Sequence, residues 1–166
     1  MSTSPIYCLD ANVLIQGWSK YYSPRICPDY WTRLTELGKA GRIFLPDEVA
    51  KEIHRTADDL SAWLKTSQIP VHPITGLVTQ CLKSIYAANP LHINLVDNTR
   101  QRSMADPWVI AHAMHQNACI VTKEEKVTAS SARIKIPNVC ENVGVRCIND
   151  FQFIEEVGMQ FSCSLP

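Results

Sequence analysis

Four acidic side chains stand where a solvated charge is awkward. Asp10 follows the apolar run Ile6-Tyr7-Cys8-Leu9 and precedes Asn12 and the apolar Val13-Leu14-Ile15. Glu52 lies a turn into the segment "LPDEVAKEI", beside Val49 and Ile53 and near the edge of the face that must be buried. Asp106 opens "ADPWVIAHA", on the same side of that helix as Val109, Ile110 and Ala113. Glu124 comes just past the apolar run at 118–121, after Thr122 and Lys123, which repeats the arrangement at Asp10. Asp10, Asp106 and Glu124, like the neighbouring acids Glu125 and Glu48, have an ordinary role open to them, whereas a carboxylate at Glu52 needs a partner. Asp10 suits a turn, Asp106 with Pro107 suits a helix start, Glu124 and Glu125 suit a solvated pair, and Glu48 suits a first helical turn. Several carboxylates in one cleft repel one another, and a buried unpaired charge is costly. Hard divalent cations resolve that repulsion: Mg2+ or Mn2+ prefers oxygen ligands, keeps waters and bridges to phosphate. Such sites activate water for attack on a phosphodiester.

The elements that would gather these acids are legible from periodicity. Strands are expected at 5–9, 43–45, 118–122 and 145–148. Helical spacing covers 12–18, 28–40, 46–66, 74–88 and 106–117, with shorter turns near 138–143 and 151–157. Short apolar strands alternating with helices predict an α/β domain with a mostly parallel sheet covered on both faces, spanning 1–166 as one unit. In such sheets the working site lies at the carboxyl ends of the strands, where the strand order reverses. Two of the acids follow strand ends and two lie on helices that begin near the sheet, so right-handed crossovers allow them to converge. The least periodic stretch, 89–105, is expected to be a long loop with a short helix.

Composition narrows the partners. The 16 basic and 16 acidic side chains cancel, so nothing suggests a general nucleic-acid coat, although segregated charge still permits local contact. Arg100 and Arg102 precede Asp106, Lys123 and Lys126 flank Glu124, and Arg133 and Lys135 follow. Phosphate contact suits Arg100, Arg102 and Lys123 as substrate-binding residues. His112 and His115 project roughly opposite Asp106 at about 100° per residue and are expected on an exposed face. The four tryptophans are expected in the core. The seven cysteines are odd in number and lack C-x-x-C spacing, which fits a reducing cytoplasm. No stretch has the length of a membrane span, and the start of the chain lacks a secretory pattern.

With these segments in hand, the chain resembles the PIN domain family. The match rests on "YCLDANVLI", the Glu of "VAKEI", the Asp of "ADPWVIAHA" and the strand end "IVTKEE", in the family's order; "IKIPNVCENVGVRCIND" resembles the closing region of a PIN-like bacterial subgroup of mostly unassigned role. The resemblance implies a three-layer α/β/α fold and a Mg2+- or Mn2+-dependent endoribonuclease, often the toxin of a toxin–antitoxin pair. It implies RNA as substrate, an antitoxin protein as partner and pairing as a homodimer. Asp10, Glu52, Asp106 and Glu124 would be the catalytic metal-site acids, with Asn12 and Thr122 as polar supports. One departure stands out. The family reads Thr-x-Asp-x-Asp after the fourth strand, and this chain reads Thr122-Lys123-Glu124-Glu125-Lys126. A protonated Lys126 cannot ligate a cation, which takes a ligand from any second metal position. The alternative is a catalytically degenerate PIN-fold module that binds nucleic acid or protein. An aspartyl phosphotransfer role for Asp10 is disfavoured, because Asn12 stands where a second Asp would be expected.

Overall fold

A computed structural model describes residues 4–56, 58–97 and 103–165. Among these residues, five short strands form one sheet: β1 (Tyr7–Leu9), β2 (Ile43–Pro46), β3 (Val71–His72), β4 (Cys119–Val121) and β5 (Cys147–Ile148). All pair in parallel, in the order β3-β2-β1-β4-β5. Among the described residues, eight α-helices accompany them: α1 (Ala11–Gln16), α2 (Pro28–Lys39), α3 (Asp47–Thr56), α4 (Asp58–Thr66), α5 (Gly76–Ala88), α6 (Asp106–Gln116), α7 (Ile136–Val143) and α8 (Asp150–Glu156). A π-helical turn over Gly17–Tyr21 follows α1, and a 3-10 helix over Pro90–Leu95 lies in the long loop.

The strand order dictates the layers. The chain moves outward from β1 through β2 to β3, then returns to the other side of β1 for β4 and β5. Right-handed crossovers in opposite directions place their helices on opposite faces of the sheet, giving the expected three-layer α/β/α arrangement. The central strands β1, β2 and β4 are fully buried, as their uninterrupted apolar runs require. Side chains alternate across the sheet. Tyr7 packs edge-on against Phe153 of α8, with ring centroids 5.0 Å apart, while the neighbouring Cys8 Sγ faces the Val109 carbonyl of α6 on the opposite side.

Local chemistry explains the helix ends that matter here. Pro28 and Pro107 occupy first-turn positions of α2 and α6, where a missing N–H costs nothing. Asn117 closes α6 in the left-handed region at φ 50°, and Gly144 closes α7 at φ 71°. Asn149 and Gln152 cap α8 reciprocally through bonds of 2.9 and 3.0 Å.

Helical spacing over 46–66 is met by α3 and α4, with residue 57 outside the described residues. Two expectations need correction. The edge strand β3 was not anticipated, because two residues carry no readable period. His112 is not on an exposed face: it is 1% exposed, with its ring 6.4 Å from that of Phe44. The reason is that α6 packs on the sheet with one side and on α5 with another, so a face opposite Asp106 is not a solvent face. His115 is exposed as expected. Trp31 is buried, and Trp18, Trp63 and Trp108 pack partly buried against the core. All seven cysteines are free, and among the described residues no helix is long and apolar enough to cross a membrane.

Candidate metal centre

The strand order reverses between β1 and β4, and the carboxyl ends of both open into the same crevice. Leu9 pairs with Val121, and the Asp10 N–H donates to the Val121 carbonyl at 3.0 Å. Asp10 and Thr122 therefore leave the sheet side by side. Asp10 is 4% exposed and precedes α1 in an extended conformation without capping it through its side chain. Its carboxylate takes a backbone hydrogen bond from Ala11 as well as one from the Thr122 side chain.

The Thr122 hydroxyl has three neighbours, and their chemistry fixes its proton. The Asn12 amide donates to Thr122 Oγ1 at 3.2 Å and the Glu124 N–H donates to it at 3.1 Å. Both are donors, so the hydroxyl spends its own hydrogen on Asp10 Oδ2, at 2.7 Å. Asn12 is oriented in turn by the Lys123 N–H, which donates to its Oδ1 at 3.0 Å. One carboxylate is thereby held by a network in which the Thr122 hydroxyl accepts two bonds and donates one.

The other acids arrive from different elements. Asp106 is the first residue of α6 and is 8% exposed, with Ser103 hydrogen-bonded to its side chain. Glu52 lies in α3 and is half-buried. Glu124 follows β4. The charges of the four reach one another. Burial pushes the Asp10 carboxyl up to about 7, against the lowering effect of the Thr122 bond, and the charges of Glu124 and Glu52 push the same way. Burial likewise pushes Asp106 up to about 9, joined by the charges of Asp10, Glu124 and Glu52. Glu52 is raised by burial, partly offset by Arg55. Two buried carboxyls, Asp10 and Asp106, whose ionised forms are disfavoured by burial and by neighbouring acids make a site that a cation would relieve.

Two basic residues on the segment before α7 reach into this cluster. Lys135 Nζ donates to Glu124 Oε1 at 3.0 Å, and the Ile136 N–H donates to Oε2 at 3.0 Å. Both Glu124 oxygens are thus engaged at the start of α7. Arg133 donates to Ser103 Oγ at 3.2 Å, which links it to Asp106 through one side chain. Lys126 turns outward and pairs with Glu141. Lys123 is tied down: its ammonium is 2.7 Å from Asp150, and the two side chains are 10% and 3% exposed. Arg100 and Arg102 lie outside the described residues.

Among the described residues, no three His, Cys, Asp or Glu side chains are drawn tightly enough to form a ready-made metal cage. The donors nevertheless fit a hard cation. They are all carboxylate oxygens, they come without thiolate or imidazole, and Mg2+ is commonly held by one or two carboxylates through retained waters. The two residues that sequence reasoning missed are Ser103 and Asp150. Ser103 gives no signal three places before Asp106, and Asp150 reads as an ordinary first-turn acid until Lys123 is seen against it.

Comparison with known proteins agrees with this architecture. The family described as a domain of unknown function (DUF4411) matches residues 7–161. No curated protein matches the sequence. Among solved structures, a chain from VapBC2 of Rickettsia felis, determined bound to a DNA fragment from their promoter, is similar at a TM-score of 0.54 and 15% identity. That likeness covers 87% of this chain and 98% of the other, and it bears on the fold, which is PIN-like.

Proposed function

From a chain that belongs to the DUF4411 family and carries a PIN-like fold, we propose a metal-dependent endoribonuclease that acts as the toxin of a toxin–antitoxin pair. The observation that carries the reading is the burial of Asp10 and Asp106 at the switch point of the sheet, both within reach of the charges of Glu52 and Glu124. Asp10 and Asp106 would hold Mg2+ or Mn2+ directly. Glu52 would complete the oxygen shell, and Glu124, already engaged by Lys135 and Ile136, would act mainly through its charge. A cation bound there supplies Lewis acidity at a phosphodiester and makes water a better nucleophile at neutral pH. The protein's own part is to hold the acids at fixed angles through Thr122, Asn12 and Ser103, and to exclude water from Asp10 by burial. Lys135 and Arg133 place positive charge beside the acids, where an RNA backbone would run. An antitoxin partner and a homodimer rest on the resemblance and on the fold shared with the VapBC2 chain.

The test is direct. Purified protein should cleave RNA in Mg2+ or Mn2+ and stop in excess chelator. Asp10→Asn or Asp106→Asn should lower the rate by ~100-fold or more while the fold is retained. Cleavage that continues undiminished in chelator would remove the metal mechanism. A second reading is favoured by the commitment of both Glu124 oxygens and by Lys126 at the position of a family acid: a PIN-fold module that binds without cutting. Mn2+ binding that depends on Asp10, with no cleavage of any RNA offered, would favour it.

A further inference from the structure

Beside the acidic crevice lies an open cavity of about 430 Å3 whose features the metal chemistry does not use. Its inner wall is Thr122 and Glu124, so it is continuous with the candidate metal centre. Its outer wall carries Tyr21 and Phe151, which are 45% and 59% exposed. Between them stands the Lys123 ammonium, 4.0 Å from the Tyr21 ring centroid and 5.3 Å from that of Phe151.

This corner is rigid. The Lys123 ammonium is anchored by buried Asp150, which also accepts from the Tyr22 hydroxyl at 3.3 Å. Tyr21 ends the π-helical turn, which is closed by the Tyr22 N–H donating to the Gly17 carbonyl at 2.7 Å. The Trp31 indole N–H then donates to the Tyr22 carbonyl at 2.6 Å. Such π-turns are costly insertions that concentrate at functional sites. Phe151 is set by the reciprocal cap of α8 at Asn149 and Gln152.

The charge balance decides which ligand suits the cavity. Asp150 neutralises Lys123, so the pair offers no strong phosphate site. Lys126, Glu124 and Glu125 also line the cavity and leave it no net positive charge; for a ligand it offers the partly exposed rings of Tyr21 and Phe151 and the amide of Gln16, which has both a donor and an acceptor. That combination suits a flat, unpaired nucleobase: faces for stacking and an amide for a base edge. We propose that Tyr21 and Phe151 form a stacking subsite for an unpaired nucleobase of single-stranded RNA, next to the phosphodiester held at the acids. The subsite rests on the nuclease reading only for its register with the scissile bond. Lys123 is a positioning residue, held by Asp150 so that the two rings keep their spacing.

The probe is a short single-stranded RNA carrying 2-aminopurine, whose fluorescence is quenched on stacking, titrated with the full-length protein in Ca2+. Quenching is expected with the wild type. Tyr21→Ala and Phe151→Ala should each weaken binding by about 5- to 100-fold and abolish the quench. Tyr21→Phe and Phe151→Tyr should restore both, which separates ring stacking from a folding defect. A duplex of the same sequence should compete poorly. The proposal is overturned if the alanine variants quench like the wild type, if the aromatic replacements bind as weakly as alanine, or if duplex competes equally. A parallel Mn2+ titration and cleavage assay keeps the two readings apart. Ring-dependent quenching without Mn2+ binding or cleavage sinks the nuclease and leaves the subsite. Metal-dependent cleavage indifferent to both rings does the reverse.

Discussion

Thr122 is the residue on which the geometry of Asp10 most depends. Replacing it with Val keeps the shape but leaves Asp10 Oδ2, the Asn12 amide and the Glu124 N–H without their shared partner. Thr122→Val should cost about 1–3 kcal/mol of stability and weaken Mn2+ binding by ~10- to 100-fold, whereas Thr122→Ser should retain most of both. Calorimetric titration beside a urea melt checks this, and equal metal affinity in the Val variant would remove Thr122 as a support. His112 tests the core from the other side. Neither ring nitrogen has a partner among the described residues, and burial, aided by His72 and His115, pushes the ring down to about 4 from 6.5. As pH falls through 6.5 the unfolded chain takes up a proton that the folded protein refuses until about 4. Stability is therefore lost across that window, by up to about 3 kcal/mol. His112→Leu should remove the loss, so its advantage over the wild type in urea melts should grow as pH drops through the window. A constant offset would show that the ring does not titrate there. In the sequence the four acids stand out by place: Asp10 and Glu124 follow apolar runs, and Glu52 and Asp106 lie on helices that begin near the sheet. The exposure expected for His112 fails because one helix's period cannot reveal that this side of α6 packs on the sheet, beside Phe44 of β2 and His72 of β3.

At the scale of elements, the sheet and its helices follow from apolar runs long enough to carry a period, and the failures lie where the runs are short. β3 has two residues, too few to carry a period. The packing of α2 offers a test that the sequence alone would have predicted with the wrong sign. Gly38 sits near the end of α2, where helix propensity favours Ala by up to about 1 kcal/mol. A Cβ built there would come within 2.9 Å of the Ile69 Cα and 2.8 Å of its Cγ1, so the backbone entering β3 would have to move. Gly38→Ala should therefore destabilise the protein, by about 1–3 kcal/mol. Gly76, the first residue of α5, has nothing within 4 Å of the same position, and Gly76→Ala should be neutral or mildly stabilising. Thermal melts of the two variants give the comparison, and equal midpoints would mean that α2 has slack against the sheet edge.

For the whole molecule, the zero net charge conceals a strained distribution: acids from β1, α3, α6 and the end of β4 are folded toward one crevice that their own repulsion opposes. Folding without a cation must either leave these charges together or protonate them, and both routes cost stability that the unfolded chain does not lose. The sign is set by the raised carboxyls. Above the ordinary 3.8 the unfolded chain ionises freely, while Asp106 resists up to about 9, so the metal-free fold weakens as pH rises across that span. Asp106→Asn removes the strained ionisation and keeps the size of the side chain. At about pH 8 in chelator, the Asn variant should melt higher than the wild type, by several degrees for a chain of this length. A cation that binds only the folded state adds about 2.7 kcal/mol at a hundredfold excess over its dissociation constant. The wild type should gain that increment with Mn2+, and the variant should gain much less, so the order of melting temperatures should reverse between chelator and metal. A variant that melts below the wild type under both conditions would mean that Asp106 stabilises the fold as a helix-start residue. The crevice would then not be under the electrostatic load on which a cation site depends.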